Sequence, residues 1–198
     1  MSQPGDPRGP QLADAREDDQ PIYSSDERAL LLRTAHRAIA AALADRQDLA
    51  LPDVPAHLNA PRGAFTTLHL EGKLRGCVGY VAAVKPLIQT VAETAVSAAF
   101  YDPRFPPVTA NEAPHLRIEI SVLALPQPVR PEHIVPGRHG LIVTQGSRRG
   151  LLLPQVAPEH GWDALTFLAQ TCLKAGLPPD AWKAGATIEA FTAEVFGE

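Results

Sequence analysis

Two segments of the 198-residue chain repeat the same order of predicted elements: a hairpin, a helix and a strand. The first repeat covers residues 63–124 and the second covers residues 140–196. The two hairpins also share an Arg-Gly pair, at 75–76 and at 149–150. Runs of antiparallel strands with helices between them are typical of α+β folds. The sequence therefore predicts an α+β fold of two lobes, with antiparallel sheets flanked by helices, and it indicates a duplicated hairpin-helix-strand unit.

Hydrophobic periodicity and turn signals assign the individual elements. Ser24 and Glu27 fit a capping box that begins a helix ending near Asp45. The first hairpin has strands over 63–70 and 73–80. The other predicted elements are a helix over 86–100, a half-buried strand over 115–125, a second hairpin over 140–153, a helix over 162–175 and a last strand over 187–196.

The N-terminal residues 1–21 are rich in Pro, Gly, Gln, Asp and Arg and contain almost no large apolar residue. Such a segment buries too little apolar surface to offset the entropy of ordering it. We expect a disordered tail over 1–21, followed by one domain over 22–198 that consists of two intertwined lobes.

Composition excludes several classes of protein. The net charge of −4 offers no basic excess to neutralise nucleic-acid phosphates. No stretch approaches the roughly 20 apolar residues of a membrane span, and the N-terminus has no signal-peptide pattern. We therefore expect a cytoplasmic protein that binds neither nucleic acid nor membranes, and in a reducing compartment its two cysteines are expected to be free thiols.

The stretch LRGCVGY, residues 74–80, contains the main candidate for chemistry. Alternation along a strand puts Arg75, Cys77 and Gly79 on one side. A neighbouring cation favours the thiolate form of cysteine. Gly76 and Gly79 have no Cβ, so a ligand or another backbone can approach closely. Cys77 is therefore a candidate nucleophile that Arg75 would assist.

Cys77 also has a structural interpretation, because free cysteine is among the most buried residue types and packs as a small apolar residue. His69 is a candidate activator of Cys77, provided that the hairpin brings the two side chains together. Cys172 lies with leucines at helical spacing and is expected in the core. The choice between a reactive thiol and a core residue at Cys77 stays open at this point.

Four further residues are candidates for a ligand cleft. Asp102 and Arg104 could hold a loop by an ion pair or present charge to a ligand, and Glu119 on the polar face of its strand needs a partner if that face is covered. His139 precedes a strand, where a histidine bonded to the backbone is the simpler interpretation. The chain has no HExxH, CxxC, Walker-type, GxGxxG or GxSxG pattern, so we predict no metal and no nucleotide cofactor.

Several separated blocks of the sequence resemble one known family. They are GAFTTLHLEGKLRGCVGY, AAFYDPRFPPVT, IEISVLALPQPV, GRHGLIVTQGSRRGLLLPQVA, FLAQTCLKAGLPPDAW and FTAEVF. In this order they resemble the AMMECR domain family, also called AmmeMemoRadiSam system protein A. The resemblance covers about residues 25–197. Val78 stands where the family motif commonly has Ile.

The resemblance implies a fold of two α+β lobes and no particular reaction. It implies that the LRGC stretch, Leu74 to Gly79, is the functional site. It also implies companions in the same system, a Memo-type protein and a radical SAM protein. Two hypotheses follow: an enzyme or enzyme-system component that uses Cys77 in a cleft between the lobes, or a non-catalytic interaction module in which Cys77 is core packing.

Overall fold

The computed structural model describes residues 22–46 and 51–198, which form an α+β structure with two four-stranded antiparallel sheets. The predicted tail over residues 1–21 lies outside the described residues. The helices are α1 (Ser25–Leu43), α2 (Leu87–Phe100), α3 (Val156–His160) and α4 (Ala164–Lys174). The strands are β1 (Ala64–Leu70), β2 (Lys73–Tyr80), β3 (Leu116–Leu123), β4 (Gln127–Pro128), β5 (Gly140–Gln145), β6 (Arg148–Leu152), β7 (Thr187–Phe191) and β8 (Ala193–Gly197).

Local sequence explains how the first elements begin and turn. The capping box at α1 is present, because the Ser24 amide donates to Glu27 at 2.9 Å and the Glu27 amide donates back to the Ser24 hydroxyl. The turn between β1 and β2 has positive φ at both Glu71 and Gly72, as a two-residue hairpin of type I′ requires. None of the helices in the described residues is long and apolar enough to cross a bilayer.

The sheet orders confirm the predicted repeat. The first sheet has the order β2-β1-β3-β8, and the second has the equivalent order β6-β5-β7-β4. In each sheet a hairpin and the strand that follows its helix supply three strands. The fourth strand is exchanged: β4 continues from β3 but joins the second sheet, while β8 continues from β7 but joins the first.

This exchange corrects two sequence-based expectations. The predicted last strand over 187–196 is two strands that meet at Thr192 and belong to different sheets. The short strand β4 was not expected, since its prolines indicate a break. It pairs only at Gln127 and Pro128, on the edge of the second sheet, where a missing amide is tolerated.

The glycines of the two Arg-Gly pairs have the same packing role in both units. A Cβ at Gly76 of β2 would overlap the carbonyl oxygen of Ala98, near the end of α2. A Cβ at Gly150 of β6 would likewise overlap the backbone at Ala175, just after α4. Each glycine lets a helix end lie directly against the second strand of its hairpin, which supports the duplication at the level of contacts.

Within the described parts of the chain, three buried clusters hold the fold together. One joins the first sheet to α1 and α2, and another joins the second sheet to α4. The third cluster, around Leu123, Ile142 and Phe191, connects the two sheets. The face of the first sheet that α1 and α2 do not cover borders this third cluster, and a cleft lies there.

Candidate functional site

A β-bulge decides which way Cys77 faces. After the hairpin turn, His69 pairs with Leu74, but the register shifts by one residue so that Thr67 pairs with Cys77. Without this shift Thr67 would pair with Gly76, and Cys77 would lie on the helix-covered face, because a slip of one residue reverses the face of every side chain. The bulge therefore turns the Cys77 thiol toward the open face of the sheet.

Thr67 makes a polar contact with the thiol. Its Oγ1 donates a hydrogen bond to Sγ of Cys77 at 3.3 Å. The two residues form a pair whose backbone groups point away from each other, since the Cys77 amide and carbonyl bond to side chains outside the sheet. Such non-hydrogen-bonded pairs bring side chains closer together, which accounts for the contact.

The thiol lines a cleft of about 620 Å³. One wall and the floor come from β1, β2, β3 and β8, and the opposite wall comes from Gly137 and Arg138 before β5 and from residues 153–155 after β6. Cys77 is half-buried, whereas Cys172 is completely buried in the second core cluster. Both cysteines are free, and burial raises the pKa of Cys172.

Asp102 and Arg104 hold the outer edge of β2 at Cys77. Asp102 accepts the Cys77 amide at 2.9 Å, while Arg104 donates to the Cys77 carbonyl at 3.2 Å and to Asp102 at 2.7 Å. The Arg104 guanidinium, helped by the two backbone amides that Asp102 accepts, holds the pKa of Asp102 well below its usual range despite burial. Asp102 in turn raises the pKa of Arg104, and Cys77 acts in the same direction. Both side chains therefore fix the Cys77 backbone.

Arg75 does not share the face of Cys77, because the bulge interrupts the alternation on which that prediction rested. Its buried guanidinium donates to Glu112 at 3.0 and 3.1 Å and to the carbonyl oxygens of Pro106 and Pro107. Arg75 and the Thr109 amide lower the pKa of Glu112 from its ordinary 4.5 to about 2. Arg75 thus ties β2 to the loop after α2.

Other atoms of the protein fill the space in front of Gly76 and Gly79, the two glycines near Cys77. Gly76 contacts the α2 backbone, and a Cβ at Gly79 would overlap the ring and backbone of Phe65. Phe65 lines the cleft, so Gly79 accommodates a wall of the cavity. The close approach expected at these glycines is therefore made by backbone and an aromatic ring.

Of the other predicted site residues, Glu119 lines the cleft, whereas His69 and His139 do not. Glu119 of β3 pairs with Thr67 and lines the cleft. His69 lies two residues from Thr67 on β1, opposite Leu74 and Arg117, and is outside the cavity lining. His139 also lies outside it and accepts the Val135 amide at Nδ1 over 3.1 Å.

Sequence reasoning missed part of the cleft. Thr67 pairs with Cys77 because of the bulge, and no residue pattern in the sequence predicts that bulge. Arg28 and Glu194 also line the cavity and form an ion pair at 2.8 Å, although 166 residues separate them. Only the exchange of β8 into the first sheet brings them together. Among the described residues, no group of three or more His, Cys, Asp or Glu side chains is placed to hold a metal ion.

The family model named AMMECR1 matches residues 32–196, which include both sheets and nearly all of the cleft. The chain belongs to the AMMECR1 family. The resemblance seen in the sequence blocks is therefore confirmed. The family assignment also includes the LRGC stretch, the Asp102–Arg104 loop and the strand that carries Glu119.

Relatives within the AMMECR1 family match almost from end to end. A protein of Methanothermobacter thermautotrophicus is 47% identical over 184 residues, covering 88% of this chain and 96% of the relative. Protein MJ0810 of Methanocaldococcus jannaschii is 43% identical, covering 89% and 92%. The crystal structure of the uncharacterized protein PH0010 from Pyrococcus horikoshii matches with a TM-score of 0.71 at 42% identity, covering 85% of this chain and 89% of that one. The fold is thus shared with an AMMECR1 relative of known structure.

Proposed function

We propose that the cleft binds a small polar molecule and that the Cys77 thiol is its reacting group. The observation that carries this proposal is the hydrogen bond from the Thr67 hydroxyl to Sγ at the floor of a cavity of about 620 Å³. A cavity of this volume is in the range that accommodates small-molecule ligands. The chain would then be an enzyme, or the substrate-handling component of an enzyme system.

The residues around Cys77 suit nucleophilic addition. A hydroxyl that donates to sulfur stabilises the thiolate, which is the nucleophilic form of cysteine. Addition of this sulfur to a carbonyl carbon forms an S–C bond and moves the carbonyl π electrons to oxygen. That oxygen takes up the proton that the thiol released, so the hemithioacetal forms without a further reactant. Asp102 and Arg104 would keep the Cys77 backbone in place during this step.

The cellular setting is part of the same proposal. In the system implied by the family resemblance, a Memo-type protein and a radical SAM protein in the cytoplasm would supply or use the molecule bound in the cleft. Co-purification of tagged chain with these two companions, in the presence and absence of a Cys77-blocking reagent, would test this setting.

The alternative is a non-catalytic interaction module with Cys77 as core packing. It predicts that apolar side chains enclose the thiol. Cys77 instead lines a cleft that also contains Thr67, Glu119 and Ser121. The alternative is therefore less well supported than a reactive thiol.

Alkylation with iodoacetamide, followed by peptide mass mapping, tests the thiol proposal. We expect Cys77 to react in the native protein and Cys172 to react only after unfolding, since Cys172 is fully buried. Cys77→Ser should abolish the native labelling, while Cys172→Ala should leave it unchanged. Equal, slow labelling of both cysteines in the native protein would contradict the proposal.

A further inference from the structure

The charged residues of the cleft do not all have partners. Arg28 and Glu194 neutralise each other through their 2.8 Å ion pair, and Glu194 also accepts the Ile22 amide at 2.7 Å. Arg138 is engaged in an interaction of its own. The side-chain carboxylate of Glu119, in contrast, makes no hydrogen bond or ion pair within residues 22–46 and 51–198. One carboxylate thus faces the cavity uncompensated.

The sheet register explains why Glu119 lacks a partner. Cys77, Thr67, Glu119 and Gly197 follow one another across four neighbouring strands. The Thr67 hydroxyl donates its hydrogen bond to the Cys77 thiol, and Gly197 has no side chain that could bond to Glu119. Two strand spacings put the Cα atoms of Cys77 and Glu119 about 10 Å apart on the same face. Side chains projecting from that face can contact one small molecule at both ends.

We propose that the cleft selects a cationic ligand, such as a primary or quaternary amine, whose positive group binds Glu119 while its electrophilic carbon reaches Cys77. This inference rests on the proposed function of the thiol and adds the class of substrate. A half-buried carboxylate without a partner is unfavourable, and a bound ammonium group compensates it. Since Arg28 and Glu194 neutralise each other, the Glu119 carboxylate favours a positive ligand group at its own position in the cleft.

The test uses three small methanethiosulfonate reagents that differ in charge: trimethylammonium-ethyl (cationic), sulfonatoethyl (anionic) and methyl (neutral). Each forms a disulfide with Cys77 and releases methanesulfinate, while the thiol proton passes to the buffer. All rates are measured in Cys172→Ala protein and divided by the rates of the same chain unfolded in urea. We expect this normalised cationic-to-anionic ratio to be about tenfold in the native protein.

Glu119→Gln should lower the cationic rate about fivefold and leave the neutral rate unchanged. The matched control is Glu189→Gln, because Glu189 occupies the corresponding register position in the second sheet, opposite Ile142, and does not line the cleft. This control should leave all three rates unchanged. Added sodium chloride should reduce the wild-type ratio, which provides a measurement that does not depend on any variant folding.

The outcomes separate the two proposals. If the neutral reagent labels native Cys77 but the normalised ratio is near one, the cationic-ligand proposal is overturned and the reactive thiol stands. A loss of all three rates in Glu119→Gln would also overturn it, since Glu119 would then act on the thiol or on the fold. If none of the reagents labels native Cys77, the proposed function itself fails.

Discussion

The backbone amide of Cys77 donates a 2.9 Å hydrogen bond to the Asp102 carboxylate, which takes the place of a neighbouring strand. Cys77 lies on β2, an edge strand of the first sheet, so its outward amide and carbonyl would otherwise face solvent. Arg104 completes the arrangement by donating to the carbonyl. Unpaired edge groups invite pairing with other chains, and this side-chain pair satisfies them at the residue that carries the thiol.

Asp102→Asn should lower the free energy of unfolding by about 1–3 kcal/mol, because a buried carboxylate that accepts from two backbone amides and two guanidinium nitrogens is lost. Urea unfolding followed by circular dichroism measures the change. The control is Asp180→Asn, at an exposed position without a side-chain capping bond, which should stay within about 0.5 kcal/mol of wild type. Equal effects of both substitutions would mean that the edge contact contributes little.

Stability should fall as the solution is acidified. The pKa values of Asp102 and Glu112 are depressed in the folded chain by Arg104 and Arg75, so protons bind the unfolded chain more readily. The stabilisation is therefore fully present above the unfolded pKa values and is lost progressively between about pH 5 and pH 2. Urea unfolding at a series of pH values should show this slope. Glu112→Gln should flatten it, whereas substitution of the exposed Glu132 by Gln should not.

Thr67→Val should slow the alkylation of native Cys77 about fivefold at neutral pH, because the hydroxyl that stabilises the anionic sulfur is removed at a cost of about 1 kcal/mol. Stopped-time labelling with iodoacetamide gives the rate. Ser121→Ala is the matched control. Ser121 lines the same cleft two residues after Glu119 on β3, opposite Phe65, and does not bond to the thiol. If both variants slow the alkylation equally, the reactivity of the thiol depends on the general polarity of the cleft and not on the Thr67 hydrogen bond.

Gly76→Ala should destabilise the fold by about 1–3 kcal/mol or more, because the new methyl group would overlap the Ala98 carbonyl and push α2 away from β2. Gly150→Ala should have a comparable effect through Ala175. Gly146→Ala is the comparison in open space, where positive φ accounts for a loss nearer 1 kcal/mol. Thermal unfolding of the three variants would rank them, and a ranking led by Gly146→Ala would contradict the packing argument.

The sequence predicted those parts of the fold that local periodicity controls. The helix over Ser25–Leu43 has its capping box, β3 has its alternation, and the Glu71-Gly72 turn has its characteristic dipeptide. Each depends on residues within a few positions of one another. The repeated unit followed from the order of such elements.

The site depended on long-range relationships that periodicity does not contain. Simple alternation along β2 predicts that Arg75 and Cys77 share a face. A β-bulge that no sequence pattern marks changes this arrangement. Arg75 therefore bonds to Glu112, and Thr67 bonds to the thiol. The pairing of Arg28 with Glu194 depends on the sheet that β8 joins, and this is decided by tertiary packing. For this reason Cys77 and Glu119 were predicted as cleft residues, while Thr67, Arg28 and Glu194 were not.

The exchange of β4 and β8 makes the two halves of the chain depend on each other. Residues 22–128 encode three strands of one sheet and a surplus strand for the other, and residues 140–198 do the reverse. A gene that encoded either half alone would specify an incomplete sheet together with a strand that has nothing to pair with. Neither half supplies all four strands of a sheet, so each sheet depends on the other half of the chain for its completion.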